Sequence, residues 1–86
     1  MVKPEDIKRW IEDNLSEADV EISGDGHHFE ATIVCPAFAG KSRIQRHQMV
    51  YGALGDRMKS EIHALSMRTL TPEQRADEQG ARDRGD

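Results

Sequence analysis

The chain has 86 residues, of which 36% are hydrophobic and 33% are charged, and its formal net charge is −4 at pH 7. This length supports one small domain with a thin core, and no apolar stretch reaches the roughly 20 residues of a membrane span. The acidic balance disfavours undirected nucleic-acid binding, which usually depends on a basic surface. A single cysteine excludes an internal disulfide. Because the N-terminal segment lacks the apolar core of a signal peptide, we expect a cytoplasmic protein.

The first predicted element is a helix from about residue 3 to residue 15. Its apolar residues recur with helical spacing on one face and are Ile7, Trp10, Ile11 and Leu15. Pro4 suits the first helical turn, where its missing N–H costs nothing. We expect the apolar face of this helix to cover a sheet.

A β-hairpin is predicted next. Val20 and Ile22 alternate with polar residues, which indicates a first strand. The segment "HFEATIVC" (28–35) indicates a second strand, with Phe29, Ala31 and Ile33 on one face. The glycine-rich turn at 24–26 joins the two strands, so they should pair antiparallel.

A second helix is predicted over 43–58, with Ser42 as its N-cap. The residues expected on its apolar face are Ile44, Tyr51, Leu54 and Met58, with Val50 beside them. A third strand is predicted over 61–70.

Thr71 and Pro72 have the N-cap and first-turn chemistry of a further, short helix. From about Ala76 the chain has almost nothing to bury. We therefore predict one domain over 1–75 and a polar, disordered tail over 76–86.

The predicted element order is α-β-β-α-β-α, which indicates an α+β fold. The helix between the second and third strands can act as a right-handed crossover, and this would make those strands parallel. A three-stranded mixed sheet with helices packed on one face follows.

The most basic stretch is "KSRIQRH" (41–47), which carries Lys41, Arg43 and Arg46. These cations could face an acidic partner or phosphates, or could form only a solvated helix face. "GALG" (52–55) has the Gly-x-x-Gly spacing of nucleic-acid-binding loops, but it lies inside a helical pattern and carries no positive charge. Cys35 is expected to be a small buried hydrophobe. No pattern indicates an enzyme.

Three histidines lie near the ends of predicted strands. His27 and His28 lie between the hairpin turn and the second strand, and His63 lies at the start of the third. If those strands are parallel, their starts meet at one edge of the sheet, and His28 and His63 would share it. Two imidazoles make half a metal site, and the other half must come from elsewhere. From spacing alone, a structural role for each histidine remains the favoured alternative.

Three segments together resemble the BolA family: "GDGHHFEA" (24–31), "FAGKSRIQRHQMVYGAL" (38–54) and "IHALSMRTLTPEQ" (62–74). The second is similar to the family's Phe-x-Gly-Lys-Ser…Arg-His…Val-Tyr pattern, and the third to its Ile-His-Ala-Leu…Thr-Pro-Glu pattern. The resemblance covers nearly all of the chain up to about residue 75. The loop before Phe29 is most similar to the small bacterial, acid-stress-linked branch.

The resemblance implies a class II KH-like fold and a non-enzymatic role. It implies pairing with a monothiol glutaredoxin of the Cys-Gly-Phe-Ser type and a [2Fe–2S] cluster shared with that partner and glutathione. No cofactor is then expected in the isolated chain. By position, the cluster ligands of this chain would be His63 and His28, with His27 as an alternative loop ligand.

The family also includes members with a DNA-binding, transcriptional role. The acidic balance of this chain and its uncharged "GALG" place that role second here. The basic stretch of Lys41, Arg43 and Arg46 keeps it open, and the same stretch could equally face the glutaredoxin.

Overall fold

The computed structural model describes residues 2–60, 62 and 64–84, the last four by their backbone alone. Its helices are α1 (Pro4–Asn14), α2 (Arg43–Leu54), α3 (Arg57–Ser60) and α4 (Pro72–Arg84), and its strands are β1 (Asp19–Gly24), β2 (His28–Val34) and β3 (Ala64–Leu70), with one 3₁₀ turn at Pro36–Phe38. The predicted order is confirmed, with α3 as a short addition. None of the described helices has the length and apolar character needed to cross a membrane.

The three strands form one mixed sheet in the order β1-β2-β3. β1 and β2 pair antiparallel, with Ile22 opposite Ala31. β2 and β3 pair in parallel, with His28 opposite Ala64 and Val34 opposite Leu70. The predicted crossover is therefore confirmed, and β3 is an edge strand with a neighbour on one side only.

The core lies between one face of this sheet and the helices α1 and α2. Phe29, Ala31 and Ile33 of β2 are buried, as their alternation predicted. On α1, Ile7 and Ile11 have no exposed surface. The other core residues are Val20, Cys35, Phe38, Val50, Leu54 and Ile62. Removing these side chains from water is the main force that holds the two layers together.

Trp10 is half-buried and connects α1 to α3. The guanidinium of Arg57 stacks 4.5 Å from the centre of its indole ring, which is cation–π geometry. Trp10 and Leu15, both predicted on the apolar face of α1, also pack against the core as partly buried residues.

The second predicted helix is divided, because α2 ends at Leu54 rather than continuing to residue 58. Gly55 adopts a positive φ of 60° and donates its N–H to the carbonyl of Tyr51, which terminates the helix. Two residues predicted on its apolar face are exposed, Ile44 by 71% and Tyr51 by 42%. At about 100° per residue, both residues lie roughly a quarter to a third of a turn around the helix axis from Val50, which faces the core.

The N-terminus of α4 is capped as predicted. The N–H of Gln74 donates to the Thr71 hydroxyl over 3.1 Å, and the Gln74 side chain accepts from the N–H of Thr71 over 2.9 Å. This reciprocal pair is a capping box, which satisfies two helix-terminal donors. It fixes where α4 begins.

α4 is longer than the sequence predicts, because it continues to Arg84 where a structureless tail was expected from residue 76. Arg75 forms an ion pair with Glu21 of β1, and Glu78 forms one with Arg68 of β3. Both strand residues lie on the polar face of the sheet, opposite α1 and α2. Ion pairs and a good cap therefore order a helix that has little apolar surface to bury. The division of the chain into a domain and a tail stays a prediction.

Candidate functional site

The turn that carries the paired histidines is organised by Asp25. One carboxylate oxygen of Asp25 accepts the backbone N–H groups of His27 and His28, each over 2.9 Å. These two donors, that of His28 first, hold the pKa of Asp25 below its ordinary value of 3.8. The turn is therefore closed by a charged acceptor. Sequence reasoning identified the turn but missed this residue, although aspartate before glycine is typical of such side-chain–backbone turns.

Gly24 allows the two strands of the hairpin to approach each other closely next to the turn. It pairs with Phe29 across the hairpin. A Cβ at Gly24 would lie 2.5 Å from Cδ1 of Phe29 and 2.6 Å from the carbonyl oxygen of His28. Only glycine fits between these atoms, so the backbone of His28 is held tightly from both sides.

The side chains of His27 and His28 are exposed at this end of the sheet. His28 begins β2 and lies directly opposite Ala64, the residue that follows His63 in the sequence. His63 itself lies outside the described residues, so its meeting with His28 stays a prediction. Among the side chains described for residues 2–60, 62 and 64–80, no three histidines, cysteines or carboxylates come together as a metal site.

Cys35 lies beyond the opposite end of β2 and is fully buried, as predicted. Its thiol approaches the carbonyl of Ser16 at 3.5 Å, and its N–H donates to the carbonyl of Leu70. Seven residue steps, about 23 Å at 3.3 Å per residue, separate it from His28. That Cys35 is no cluster ligand stays a prediction, and this distance supports it.

The three cations of the basic stretch have different roles. Arg46 is half-buried, and its guanidinium donates inward to four oxygen atoms. The acceptors are the carbonyls of Phe38 and Lys41, both at 3.1 Å, the carbonyl of Thr69 at 3.0 Å and the side chain of Gln74 at 2.9 Å. Arg46 thus joins the connector before α2 to β3 and α4, whereas the sequence predicted an outward-facing cation. Lys41 and Arg43 are exposed.

A groove of about 430 Å³ lies between the start of α2 and β3. It is lined by Lys41, Arg43, Arg46, His47, Met67, Arg68, Thr69 and Leu70. The basic stretch therefore forms one wall of a concave surface, and we call this surface the basic groove.

The Gly-x-x-Gly segment lies at the end of α2 and not in a phosphate-binding loop. Leu54, its third residue, is fully buried, and Gly55 is the helix C-cap. Gly52 has open space where a Cβ would stand. The helical interpretation is therefore confirmed, with the helix ending at the second glycine.

Comparison with known proteins places these features in context. The family model described as BolA-like protein matches residues 8–74. The acid stress protein IbaG of Escherichia coli K12 is 38% identical over 68 residues, which cover 78% of this chain and 81% of that protein.

Solved structures also share the fold, and two of them are compared with this chain. The structure of a bolA protein homologue from Coxiella burnetii superimposes with a TM-score of 0.84 at 53% identity, covering 88% of this chain and 99% of that one. The BolA domain of SufE1 from Arabidopsis thaliana superimposes with a TM-score of 0.66 at 35% identity, covering 81% of this chain and 92% of that one.

Proposed function

Because the chain belongs to the BolA-like protein family, we propose that it is a non-catalytic adaptor that pairs with a monothiol, Cys-Gly-Phe-Ser glutaredoxin. The pair binds or transfers a [2Fe–2S] cluster in cytoplasmic iron–sulfur trafficking or in iron and stress regulation. The observation that carries the proposal is the exposed His28, held by Asp25 and in register with the residue after His63.

The parallel register supports a ligand pair of His28 and His63. Neighbouring strands that run in the same direction begin at the same end of a sheet, about 4.8 Å from each other. His28 is the first residue of β2, and Ala64 is the first residue of β3. His27 is the alternative loop ligand because Asp25 holds the N–H groups of both residues.

The chemistry of the donors fits a shared cluster. Imidazole on one iron in place of thiolate leaves a [2Fe–2S] cluster less negative and raises its potential. In the proposed complex the glutaredoxin cysteine and glutathione provide the thiolates, and this chain provides the imidazoles. Imidazole binds a metal only when it is deprotonated, so acid should release the cluster.

Visible circular dichroism tests the proposal directly. The protein is mixed with a cluster-loaded Cys-Gly-Phe-Ser glutaredoxin, and we expect a new spectrum that reports the mixed complex. His63→Ala should abolish this spectrum, His28→Ala should weaken it, and the double change at His27 and His28 should weaken it further. His47→Ala is the matched control, because His47 lies in the basic groove and is not a proposed ligand. The spectrum of its mixture with the glutaredoxin should be unchanged when the variant is present at a saturating concentration.

Association with the cluster-free glutaredoxin should survive all of these substitutions and can be followed by calorimetry. An unchanged spectrum on mixing the unaltered proteins, together with no complex, would remove the proposed function. A His63→Ala protein that retains both the spectrum and its acid lability would show that the ligand assignment is wrong while the partnership stands.

A nucleic-acid-binding transcriptional regulator is the second candidate. The observation that favours it is the pair of exposed cations, Lys41 and Arg43, beside one groove. Binding of a DNA duplex through these side chains should weaken steeply as salt is added, because it depends on counterion release. A DNA affinity that is undetectable at low salt would exclude this candidate.

A further inference from the structure

The free edge of β3 carries backbone groups that point away from the sheet. The carbonyl of Leu70 accepts the N–H of Cys35 and so points toward β2. Because backbone groups alternate in direction along a strand, those of Met67 and Thr69 point to the free edge. The hydrogen bond from Arg46 to the carbonyl of Thr69 confirms this direction. Met67 is therefore the next residue whose N–H and C=O face outward together.

The basic groove lies along this edge. β3 residues from Met67 to Leu70 form one wall, and Lys41, Arg43, Arg46 and His47 form the other. No carboxylate lines it within the described part of the chain. Lys41 and Arg43 form none of the ion pairs that connect described residues. Positive charge is thus concentrated beside an open strand edge in a chain whose net charge is −4.

We propose that this edge binds an extended acidic segment of a protein partner, which adds to the sheet as a fourth strand. Its backbone pairs with the N–H and C=O of Met67, and its carboxylates lie against Lys41 and Arg43. Strand addition of this kind obtains affinity from main-chain hydrogen bonds and specificity from the flanking side chains. The inference does not depend on a cluster or on the histidine turn.

Two other occupants fit the groove less well. A second copy of this chain, paired edge to edge, would bring Lys41 and Arg43 of both copies together, and like charges repel. Single-stranded nucleic acid is usually held by base stacking on aromatic rings as well as by cations. Among the described residues that line the groove there is no phenylalanine, tyrosine or tryptophan, and His47 is the one ring. A strand edge, in contrast, offers the paired donor and acceptor that a peptide backbone needs.

The test uses a short fluorescein-labelled peptide of alternating glutamate and valine, with the full chain at low salt. We expect saturable binding by fluorescence anisotropy and a shift of the Met67 amide resonance. The double charge reversal Lys41→Glu and Arg43→Glu should weaken binding by about tenfold or more. Lys3→Glu together with Lys59→Glu makes the same change in net charge at two exposed positions that do not line the groove, and as the matched control this variant should bind nearly as the unaltered chain does.

N-methylation separates strand addition from simple charge attraction. Two versions of the peptide carry N-methyl groups on alternate residues in opposite frames, and only one frame removes the N–H groups that face β3. We expect the two frames to differ in affinity by about tenfold. Equal affinities, or no binding of the unmodified peptide, would overturn the proposal.

Two further outcomes would also overturn it. A short oligothymidine that displaces the peptide and binds more tightly through Lys41 and Arg43 would assign the groove to nucleic acid. If light scattering shows a dimer of this chain and the peptide dissociates it, the edge would be assigned to a second copy.

Discussion

The hairpin turn at 24–28 and the basic stretch at 41–47 are both short, polar and next to the end of a strand or helix, yet they use their charges differently. In the turn, Asp25 accepts two backbone N–H groups, and the imidazoles of its neighbours stay exposed. In the basic stretch, Arg46 turns inward to four oxygen atoms and leaves Lys41 and Arg43 outside. Both charges satisfy backbone groups that lack ladder or helix partners, but Asp25 does so within one exposed turn, whereas Arg46 does so between separate elements and is half-buried.

Replacing Arg46 should have the largest effect on stability. Arg46→Met keeps an apolar stem near the Phe38 ring, which lies 5.8 Å from the guanidinium, but it leaves the carbonyls of Lys41 and Thr69 without this donor. We expect a loss of about 3 kcal/mol in the free energy of unfolding, measured with urea, because several charge-assisted bonds disappear together. Arg43→Met is the control and should cost less than about 0.5 kcal/mol, as exposed positions do. Equal losses would mean that the basic stretch is a uniform solvated face after all.

Gly24→Ala should have the next largest effect, and it acts on the other region. The added methyl group would meet the backbone of His28, so the hairpin must open, at a cost of about 1–3 kcal/mol. The mixed-complex spectrum should weaken with it, because the histidine turn moves. Gly52→Ala is the matched control: Gly52 has open space around it, and alanine should stabilise α2 by about 0.5–1 kcal/mol. If the two variants behave alike, the close approach at Gly24 has no consequence for the turn.

The sequence predicted most of the fold because its apolar periodicities are clear. Phe29, Ala31 and Ile33 alternate as a buried strand face must, and Thr71 and Pro72 carry the chemistry of a helix start. It failed where a single conformation or a long-range bond decided the outcome. The positive φ of Gly55 divides a helix whose residues all have acceptable spacing, and Ile44 lies about a third of a turn from the buried Val50.

The candidate site was predictable only in part, for the same reason. Two adjacent histidines next to a glycine turn are visible in the sequence, and so are three neighbouring cations. That Arg46 would bond to residues 23 and 28 positions away is not visible, since charge alone does not show direction. Likewise, α4 is ordered by Arg75 and Glu78, whose partners lie on strands that only the folded sheet places beneath them.

Truncation of the chain after Gln74 should have a smaller effect. It keeps the residues of the capping box and of the Arg46–Gln74 bond, but it removes the rest of α4 and the ion pairs made by Arg75 and Glu78. Exposed pairs contribute about 0–1 kcal/mol each, so we expect a loss of about 1 kcal/mol, an intact fold by circular dichroism and unchanged glutaredoxin binding. The full-length chain with Glu21→Gln and Glu78→Gln should lose a similar free energy of unfolding. A much larger fall on truncation would show that α4 contributes packing beyond these pairs.

Substitution of Asp25 should have the smallest effect on stability and the most specific effect on the turn. Asp25→Asn keeps an oxygen that can accept the N–H groups of His27 and His28, whereas Asp25→Ala removes it. We therefore expect faster exchange of those two amide protons, and a weaker mixed-complex spectrum, in the alanine variant only. The two variants have the same charge, so any difference between them reports the hydrogen bonds and not the electrostatics.

The pH dependence sharpens this last comparison. Because the pKa of Asp25 is lowered in the folded chain, its contribution to the turn is fully present above the ordinary value and is lost only as pH falls through the lower, folded value. Between neutral pH and about pH 5 the carboxylate stays charged, so the turn does not change. Release of the proposed cluster in that interval should then arise at its ligands. Because the Asp25 charge also acts on His27, the comparison uses Asp25→Asn and Asp25→Ala, which have the same charge, and the midpoint should be the same in both. A midpoint that differs between these two variants would show that the turn, rather than the ligands, sets the acid lability.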